Sequence, residues 1–249
     1  MKALAAVMFF TRIPLWKWFS PTKEEYKNLV SYWSMTGWIT GGLMSLVFFI
    51  SYSIFSIETS VIFALISRLI LTGALHEDGL ADFIDGFGGG TNKEKILSIM
   101  KDSHIGSYGV TGLIIYFLLA WSLIFSLGPE KAVIVLFIAD PAAKFISSNI
   151  INFLPYARKE EDCKSKILYS KMDIKEIAIS AFFGIIPIIV FFPIVYILSL
   201  IPAILFFFIY IFYLNKKIGG YTGDCCGALF LISELLIYVG VYIISFIMM

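Results

Sequence analysis

The sequence predicts an all-α protein, a polytopic integral membrane helical bundle of about seven transmembrane helices with an N-terminal interfacial helix. The first observation is composition, since 59% of the 249 residues are hydrophobic and only 15% are charged. That leaves too little polar material to cover a soluble protein of this size. The other two observations are apolar stretches long enough to cross a bilayer and a regular alternation of basic residues between them. We expect residues 1–249 to form a single membrane-embedded domain.

The first 19 residues predict a helix that lies at the membrane surface. They begin apolar, but Arg12, Pro14 and Lys17 interrupt the apolar run, and aromatic residues cluster near its end. Such a mixture favours the headgroup region over the hydrocarbon core. A cleaved signal peptide would need a longer uncharged core and a small-residue cleavage site, so we expect the segment to be retained.

Seven apolar stretches follow this segment. They cover residues 31–55, 59–76, 106–127, 131–153, 176–198, 201–214 and 227–248. Most reach the ~20 residues that a membrane-spanning helix needs, whereas the sixth is short. Pro187, Pro193 and Pro202 lie in or next to the fifth and sixth stretches, where proline indicates kinks or a hairpin.

The distribution of lysine and arginine predicts the orientation of the chain. From the N-terminal segment onward, the intervals between the apolar stretches hold 5, 0, 3, 1, 6, 0, 2 and 0 basic residues. Positive charge is retained on the cytoplasmic side of a membrane. The alternation therefore predicts seven crossings of the cell membrane, with the polar segments 76–106, 158–175 and 219–227 on the cytoplasmic side.

Charge and cysteine content exclude other classes of protein. A net charge of +1 provides no general basic surface, so we expect no nucleic-acid partner. Cys163, Cys225 and Cys226 follow no disulfide or zinc spacing, and we expect them to be reduced thiols. The lipid bilayer is the expected surrounding, and the sequence leaves open whether the chain forms a homo-oligomer.

An acidic stretch at residues 76–106 interrupts the apolar sequence. Its Asp78, Asp82 and Asp85 are spaced i, i+4 and i+7, which places them at roughly 0°, 40° and −20° around a helix. Three carboxylates on one stripe repel each other unless a cation binds them. Because an all-oxygen ligand set favours a hard ion, the stripe predicts a Mg²⁺ site.

Glycines follow the stripe at Gly86 and at residues 88–90, where we expect them to end the helix. A glycine-rich turn allows backbone N–H groups to approach an anion closely. Gly88 and Gly89 therefore predict a cradle for phosphate.

A second polar cluster at residues 219–224 precedes the last apolar stretch. Asp224 belongs to this cluster, and Glu234 follows ten residues later at membrane depth. Ionisable residues at that depth are usually functional or paired, so Glu234 is a candidate ligand and Arg68 a candidate partner for it. Two hard ions held by such carboxylates would grip a diphosphate and neutralise the charge that develops when a phosphoryl group is transferred. The residues therefore predict phosphoryl transfer.

Several motif blocks carry a resemblance to a known family. The blocks are His76-x-Asp78-Gly79-Leu80-Ala81-Asp82-x-x-Asp85-Gly86, Met100-Lys101-Asp102-Ser103-x-Ile105-Gly106, Gly219-Gly220-x-Thr222-Gly223-Asp224, Phe10-Thr11-Arg12-Ile13-Pro14 and Tyr156-Ala157-Arg158. In these blocks, over nearly its whole length, the chain resembles the cobalamin synthase (adenosylcobinamide-GDP ribazoletransferase) family.

The resemblance implies a Mg²⁺-dependent membrane transferase of cobalamin biosynthesis. Such an enzyme joins adenosylcobinamide-GDP to α-ribazole or α-ribazole 5′-phosphate and releases GMP. Asp78, Asp82 and Asp85 would hold Mg²⁺ on the diphosphate, and Asp224 and Glu234 would be further metal ligands.

The resemblance also implies roles for other polar residues. Asp102 or His76 would accept the proton of the attacking hydroxyl, and Asp82 would be a further catalytic residue. The candidate substrate contacts are Arg12, Gly88, Gly89, Lys101, Ser103, His104, Arg158 and Thr222. The basic side chains among them complement the charge of a phosphate.

His104 and Glu77 are among the residues that depart from the family pattern. His104 stands where we expect an arginine, so a fixed cation is replaced by a group that titrates near neutral pH. Glu77 replaces an apolar residue and points away from the aspartate stripe, and we interpret it as a solvated charge. Elsewhere, Gly37, Gly41 and Gly42 predict close packing of a neighbouring helix.

Two other functions are alternatives for clustered acids in a membrane protein. A CDP-alcohol phosphotransferase uses a similar Asp-Gly-rich helix, but its pattern requires an alanine–arginine pair where this chain has Ala81-Asp82. A divalent-cation transporter would place carboxylates within the spans, whereas here they cluster in the polar segments. We therefore favour the transferase.

Overall fold

The computed structural model describes residues 1–158 and 168–248. Within these residues the chain forms no β-strand, only one isolated β-bridge between Tyr156 and Tyr221. The α-helices are α1 (Lys2–Phe10), α2 (Lys23–Lys27), α3 (Trp33–Tyr52), α4 (Ile57–Thr72), α5 (Leu75–Gly89), α6 (Lys93–Ile99), α7 (Ser107–Ser126), α8 (Gly128–Ser148), α9 (Ile150–Phe153), α10 (Ile174–Phe191), α11 (Ile201–Ile218) and α12 (Gly223–Ile247). In the same described residues, 3-10 segments lie at Leu15–Lys17, Leu29–Tyr32 and Ile194–Leu200.

Six segments of the described chain are helical, long and apolar enough to cross a membrane. They are Leu29–Tyr52, Ser107–Ser126, Gly128–Phe153, Ile174–Phe191, Ile194–Ile218 and Gly223–Ile247. Helices α4 and α5 have 16 and 15 residues and qualify only as a pair, and the chain bends by 92° between them. The predicted polytopic helical bundle is confirmed, and it has seven spans if the bent pair crosses once.

The fifth and sixth spans have boundaries that differ from the prediction. Helix α10 ends at Phe191, earlier than the expected residue 198, and the next candidate span is the 25-residue segment Ile194–Ile218. Pro193 lies at this break, where its missing N–H and fixed φ favour an interruption of the helix. Pro202 lies in the first turn of α11, where proline is tolerated. The sixth span is therefore long rather than short.

A sharp turn separates α4 from α5. Gly73 and Ala74 adopt left-handed backbone conformations, with φ of 69° and 58°, and both N–H groups donate to the carbonyl of Leu69. The backbone N–H of Arg12 donates to the carbonyl of Leu71 at 2.7 Å, and the Arg12 guanidinium occupies the space that a Cβ at position 73 would need. The predicted second span therefore ends at Thr72, and α5 starts in a new direction.

Small residues allow α3 to pack tightly on α8. A Cβ at Gly37 would lie 2.5 Å from the Cα of Pro141, and a Cβ at Gly41 would lie 2.8 Å from the carbonyl oxygen of Leu136. Near Gly42, the first atoms are those of the Phe137 ring at 3.8 Å, which is an ordinary contact. The packing prediction is confirmed for Gly37 and Gly41, and it is wrong for Gly42.

The N-terminal helix α1 packs against the bundle. Ala5 and Ala6 are fully buried, and Phe10 stacks on Trp33 of α3 with ring centroids 5.0 Å apart. Lys2 Nζ donates to Glu176 Oε1 at 2.8 Å, and this hydrogen bond raises the pKa of Lys2. Helix α1 thus closes one side of the cavity described next.

Candidate active site

A cavity of about 290 Å³ lies between α1, α3, α5, α8 and α12. Its apolar and aromatic lining includes Phe9, Phe10, Val30, Trp33, Leu75, Ile150, Ile151, Tyr156 and Tyr169. Its polar lining includes His76, Asp78, Ser147, Ser148, Arg158, Asp224 and Cys226. The cavity therefore gathers the motif blocks around residues 76–79, 156–158 and 223–227, which are far apart in the sequence.

The crossing of α5 and α12 brings the two acidic blocks together. A Cβ at Gly79 would lie 3.2 Å from the Cα and carbonyl oxygen of Asp224, and a Cβ at Gly227 would lie 3.1 Å from the carbonyl oxygen of His76. Because glycine has no Cβ, the two helices approach to backbone contact. As a result, Asp78 and Asp224 line the same cavity.

The aspartate stripe lies along α5, but its three carboxylates have different surroundings. Asp78 is exposed, Asp82 is half-buried and Asp85 is buried. Asp85 accepts hydrogen bonds from the backbone N–H groups of Gly106 and Gly109 at 2.7 and 2.8 Å. The first turn of a helix leaves such N–H groups without intrahelical partners. Asp85 therefore fixes the start of α7.

The glycines after the stripe do not end the helix at Gly86. Helix α5 continues through Gly86 and ends at Gly89, with Gly90 as its C-cap, so the predicted helix end is confirmed within residues 88–90 and is wrong for Gly86. Helical hydrogen bonding therefore occupies the N–H groups of Gly88 and Gly89. The glycines instead allow close packing: a Cβ at Gly86 would collide with Met100, and one at Gly88 would lie 2.8 Å from the ring of Tyr108. The predicted phosphate cradle therefore lacks free backbone donors.

Arg158 reaches the cavity through a backbone junction. The N–H of Tyr221 donates to the carbonyl of Pro155 at 2.9 Å, and the N–H of Ala157 donates to the carbonyl of Tyr221 at 2.8 Å. Arg158 Nη2 then lies 3.8 Å from Asp224 Oδ2. The junction thus places a guanidinium beside one of the predicted metal ligands.

Thr222 begins α12 as its N-cap. Its Oγ1 accepts a hydrogen bond from the N–H of Cys225 at 3.3 Å and donates one to Asp224 Oδ2 at 3.4 Å. Because Thr222 is fully buried, it orients Asp224 and the start of the helix rather than presenting a hydroxyl to a substrate.

Seven predicted site residues lie on the exposed surface and are not part of the described cavity lining: Arg12, Gly88, Gly89, Lys101, Asp102, Ser103 and His104. Asp102 Oδ1 accepts a hydrogen bond from the backbone N–H of His104 at 3.0 Å and lies 2.7 Å from His104 Nδ1. These bonds lower the pKa of Asp102. The loop therefore pairs two of the candidate residues with each other.

The predicted pairing of Arg68 with Glu234 is confirmed. Arg68 Nη1 lies 2.7 and 2.6 Å from the two carboxylate oxygens of Glu234, and its Nη2 donates to the hydroxyl of Tyr116. The Glu77 carboxylate lies 3.4 Å from the same guanidinium and is buried, so its interpretation as a solvated charge is wrong. Glu234 is fully buried and bound by this arginine, which gives it a structural partner in place of the predicted metal.

A second buried ion pair lies on α8. Lys144 Nζ is 2.6 Å from Asp140 Oδ1 and donates to the hydroxyl of Thr40, which in turn donates to Asp140. No role was predicted for Asp140 and Lys144. Their opposite charges at i, i+4 spacing within the apolar stretch 131–153 are the pattern that would have predicted a buried ion pair.

An aromatic enclosure surrounds His76. Its ring lies 6.1, 5.5 and 4.7 Å from the ring centroids of Phe10, Trp33 and Phe230. Its Nε2 is buried and has no hydrogen-bond partner among the residues that the structure describes. His76 lines the cavity together with Asp78, so it is placed to act on a bound molecule.

The acidic residues of the cavity fit a hard cation that shares its coordination with a substrate. Within residues 1–158 and 168–248, no three histidine, cysteine, aspartate or glutamate side chains converge closely enough to hold a metal ion alone. Mg²⁺ in proteins usually keeps water and phosphate oxygens beside one or two carboxylates. Asp78 and Asp224, with Asp82 one turn further along α5, provide that kind of ligand set.

Comparison with known proteins identifies similar chains along nearly the full length. The family model described as cobalamin-5-phosphate synthase matches residues 2–242. Three relatives are named adenosylcobinamide-GDP ribazoletransferase. The one from Leptospira interrogans serogroup Icterohaemorrhagiae serovar copenhageni is 37% identical, over 95% of this chain and 93% of its own. The Vibrio parahaemolyticus protein is 38% identical over 94% and 89%, and the Shewanella baltica protein is 36% identical over 94% and 91%. No solved structure matches this chain.

Proposed function

The chain belongs to the cobalamin-5-phosphate synthase family, and we propose that it acts as an adenosylcobinamide-GDP ribazoletransferase. In this reaction adenosylcobinamide-GDP and α-ribazole, or α-ribazole 5′-phosphate, give adenosylcobalamin, or its 5′-phosphate, and GMP. The carboxylates, the arginine and the histidine that line the cavity suit the binding of charged phosphates and the transfer of a proton in this reaction.

The α5–α12 crossing is the observation that carries the proposal. Residues of two acidic blocks, separated by more than a hundred positions in the sequence, meet there at one cavity. Helices that expose backbone to each other at Gly79 and Gly227 bring Asp78 and Asp224 to the same opening. Carboxylates beside an arginine, at the edge of an aromatic cavity, suit a reaction between a diphosphate and an organic acceptor.

The transfer forms one bond and breaks one. A ribose hydroxyl oxygen of the acceptor attacks the phosphorus next to the cobinamide, and the bridging P–O bond of the diphosphate breaks. The electron pair of that bond leaves with GMP, and the hydroxyl proton passes to a base. The protein must therefore bind a highly charged diphosphate, support the departing phosphate and accept a proton.

Asp78, Asp82 and Asp224 are the residues that would hold Mg²⁺ at this site. When bound, the ion supplies charge neutralisation for the diphosphate oxygens and the departing phosphate. Asp85 and Glu234 are left out of this set, because Asp85 caps α7 and Glu234 is bound by Arg68.

Two further residues have assigned roles in the proposal. His76 accepts the hydroxyl proton, since it lines the cavity beside Asp78 and its Nε2 has no partner among the described residues. Arg158 contacts the departing phosphate, since its guanidinium lines the same cavity and lies next to Asp224. A planar guanidinium provides two parallel hydrogen bonds to phosphate oxygens.

We place the protein in the cell membrane as a multi-pass protein with this site on the cytoplasmic side. The alternation of basic residues supports that orientation, because the segments that contribute Asp78, Arg158 and Asp224 carry the excess positive charge.

Release of GMP by the purified protein tests the proposal. Full-length protein in detergent, given adenosylcobinamide-GDP, α-ribazole or its 5′-phosphate and Mg²⁺, is expected to release GMP in proportion to the acceptor consumed. Asp82→Ala is expected to abolish turnover without changing expression or thermal stability. Glu130→Ala is the matched control, because Glu130 is an exposed acid in the first turn of α8, outside the cavity.

Two results would overturn parts of the proposal. If correctly folded wild-type protein releases no GMP with either acceptor, the transferase activity is wrong and cation transport becomes the alternative to test. If Asp82→Ala turns over at the wild-type rate, the assignment of the metal ligands is wrong.

A further inference from the structure

We propose that the 290 Å³ cavity binds the planar heterocyclic base of the acceptor nucleoside, with the sugar at the Asp78–Asp224 opening. This inference rests on the proposed function. It states which part of which substrate occupies the cavity, and it leaves the nucleotide and the corrinoid outside.

The walls of the cavity suit a flat aromatic ring. Phe10 and Trp33 form a stacked pair, with centroids 5.0 Å apart and an interplanar angle of 13°. Phe9 meets the edge of Tyr169 at 6.2 Å, and Tyr156 completes the aromatic lining. Aromatic rings stabilise one another in stacked and edge-to-face geometry, so a planar ligand gains contact on several sides.

The volume of the cavity discriminates between the substrates. A volume of about 290 Å³ lies at the lower end of the range for small-molecule sites, which begins near ~300 Å³. A fused bicyclic base fits such a space, whereas a corrin macrocycle with its side chains is several times larger. The corrinoid must therefore remain outside, and the acceptor is the substrate that can enter.

Two buried polar atoms belong to residues of the cavity lining. Trp33 Nε1 and Ser147 Oγ have no hydrogen-bond partner among the described residues, although Trp33 is 2% exposed and Ser147 is fully buried. A buried polar group without a hydrogen-bond partner destabilises the protein, and a ligand that supplies the partner removes that penalty. The indole N–H is a donor only, so it suits a ring nitrogen that accepts a hydrogen bond.

The apolar lining favours the ribazole base over guanine. The base of α-ribazole is a fused aromatic ring with one free ring nitrogen, which needs one donor. Guanine carries several donors and acceptors along its edges, and each would lose water against Val30, Ile150 and Ile151. The carboxylates in the lining are Asp78 and Asp224, which the proposed function assigns to the metal.

Binding measurements on single variants test this placement without requiring turnover. The affinities of α-ribazole and GMP for purified full-length protein are measured separately by calorimetry. Trp33→Phe keeps the ring and removes the indole donor, so α-ribazole binding is expected to weaken by about 3- to 10-fold. GMP binding is expected to stay unchanged. Trp38→Phe is the matched control, since Trp38 is on the same helix, donates to the carbonyl of Phe183 and is not among the cavity residues.

A space-filling variant provides a second, independent test. Cys226 is half-buried and lines the cavity, so Cys226→Phe is expected to weaken α-ribazole binding by more than about tenfold. Cys226→Ser keeps the size of the side chain and is expected to bind like the wild type. Size-exclusion profiles and thermal stability show whether each variant folds. If Cys226→Phe does not fold, the affinity of Trp33→Phe for α-ribazole alone tests the placement.

Three outcomes would overturn the inference. They are weaker GMP binding with unchanged α-ribazole binding, unchanged binding of both ligands in Trp33→Phe and Cys226→Phe, and no α-ribazole binding by wild-type protein with or without GMP. The first of these would assign the cavity to guanine. Failure of the proposed function is a separate result, because protein that binds α-ribazole as expected but releases no GMP keeps the cavity assignment and loses the reaction.

Discussion

At the residue scale, Asp85 accepts hydrogen bonds from two backbone N–H groups at the start of α7, whereas Asp78 on the same helix lines the cavity. The i, i+4, i+7 spacing correctly placed Asp78, Asp82 and Asp85 along one helix. It could not show that Asp85 accepts two N–H groups from α7, because those donors lie 21 and 24 positions away and meet it only in the folded chain. The spacing of residues along a helix predicts which way their side chains point, whereas their hydrogen-bond partners depend on how the helices pack against each other.

Asp102 and His76 are the two candidate general bases, and their different surroundings predict that replacing them changes turnover by different amounts. Hydrogen bonds from His104 hold the pKa of Asp102 below its ordinary value of 3.8, so Asp102 loses its negative charge only at a pH below that value. If Asp102 were the base, the acid limb of the rate profile would lie below pH 3.8. We expect Asp102→Asn to change turnover by less than about tenfold and to leave the acid limb of the wild-type rate profile in place.

His76→Phe is the complementary variant. It keeps an aromatic ring inside the enclosure of Phe10, Trp33 and Phe230 and removes the nitrogen. General-base catalysis contributes about 10²–10⁴-fold, so turnover is expected to fall by that amount while thermal stability changes little. Full pH–rate profiles of both variants provide the measurement. A large loss in Asp102→Asn with normal turnover in His76→Phe would reverse the assignment.

Glu234 is expected to act on stability rather than on metal binding. Removing it leaves the fully buried Arg68 without its main counter-charge, and breaking such a pair costs about 3–5 kcal/mol. We expect Glu234→Ala to lose about that much free energy of unfolding. The variant Arg68→Met/Glu234→Leu, combined with Glu77→Gln because Glu77 faces the same guanidinium, is expected to recover part of the loss. Denaturant unfolding in detergent measures both. Unchanged stability combined with weaker metal binding would show that Glu234 is a ligand after all.

At the element scale, helix existence was predictable and helix ends were less so. The apolar stretches located the spans, because burial in lipid requires long apolar helices. The turn at Gly73 and Ala74 was not foreseen, since alanine rarely adopts a left-handed conformation and its neighbours decide whether it does. Gly86 also misled the prediction, because glycine serves close packing as readily as it ends a helix.

Adjacent glycines on α3 provide a matched test of helix packing. Gly41→Ala would place a Cβ 2.8 Å from the carbonyl oxygen of Leu136, whereas Gly42→Ala would place one 3.8 Å from the Phe137 ring. Both changes gain about 1 kcal/mol of helix propensity. We therefore expect Gly41→Ala to destabilise the protein and Gly42→Ala to leave it unchanged or more stable. The melting temperatures of the two variants test this expectation. Equal changes in melting temperature would contradict the tight α3–α8 contact.

At the scale of the whole molecule, the seven apolar stretches and the alternation of basic residues between them predict the same arrangement of membrane-spanning helices. The sequence alone predicted the helical bundle because composition, length and charge placement all respond to the membrane. The cavity was not predictable, because it is built by residues from six helices whose contacts depend on the fold. Trp33, whose indole N–H is proposed to bind the base, belongs to none of the motif blocks of the sequence.

Topology is testable with single cysteines on opposite ends of the bundle. Cys225 is fully buried and Cys163 lies outside the described residues, so neither serves as a reporter. In a background with all three native cysteines replaced by serine, Lys95→Cys is expected to react only from the cytoplasmic side. Glu130→Cys is expected to react only from the other side. Labelling of intact cells and inverted vesicles with an impermeant thiol reagent measures this, and reaction of both from one side would contradict the proposed orientation.

We propose that carboxylates of α5 and α12 jointly hold a divalent cation on the diphosphate of the substrate. Mn²⁺ prefers the same oxygen ligands as Mg²⁺ and is visible by electron paramagnetic resonance. Titration of Mn²⁺ into protein with adenosylcobinamide-GDP, without acceptor, is therefore the most direct measurement. We predict tight binding that weakens at least tenfold in both Asp78→Ala and Asp224→Ala and stays unchanged in Glu130→Ala. Wild-type affinity for Mn²⁺ in the first two variants would contradict the claim.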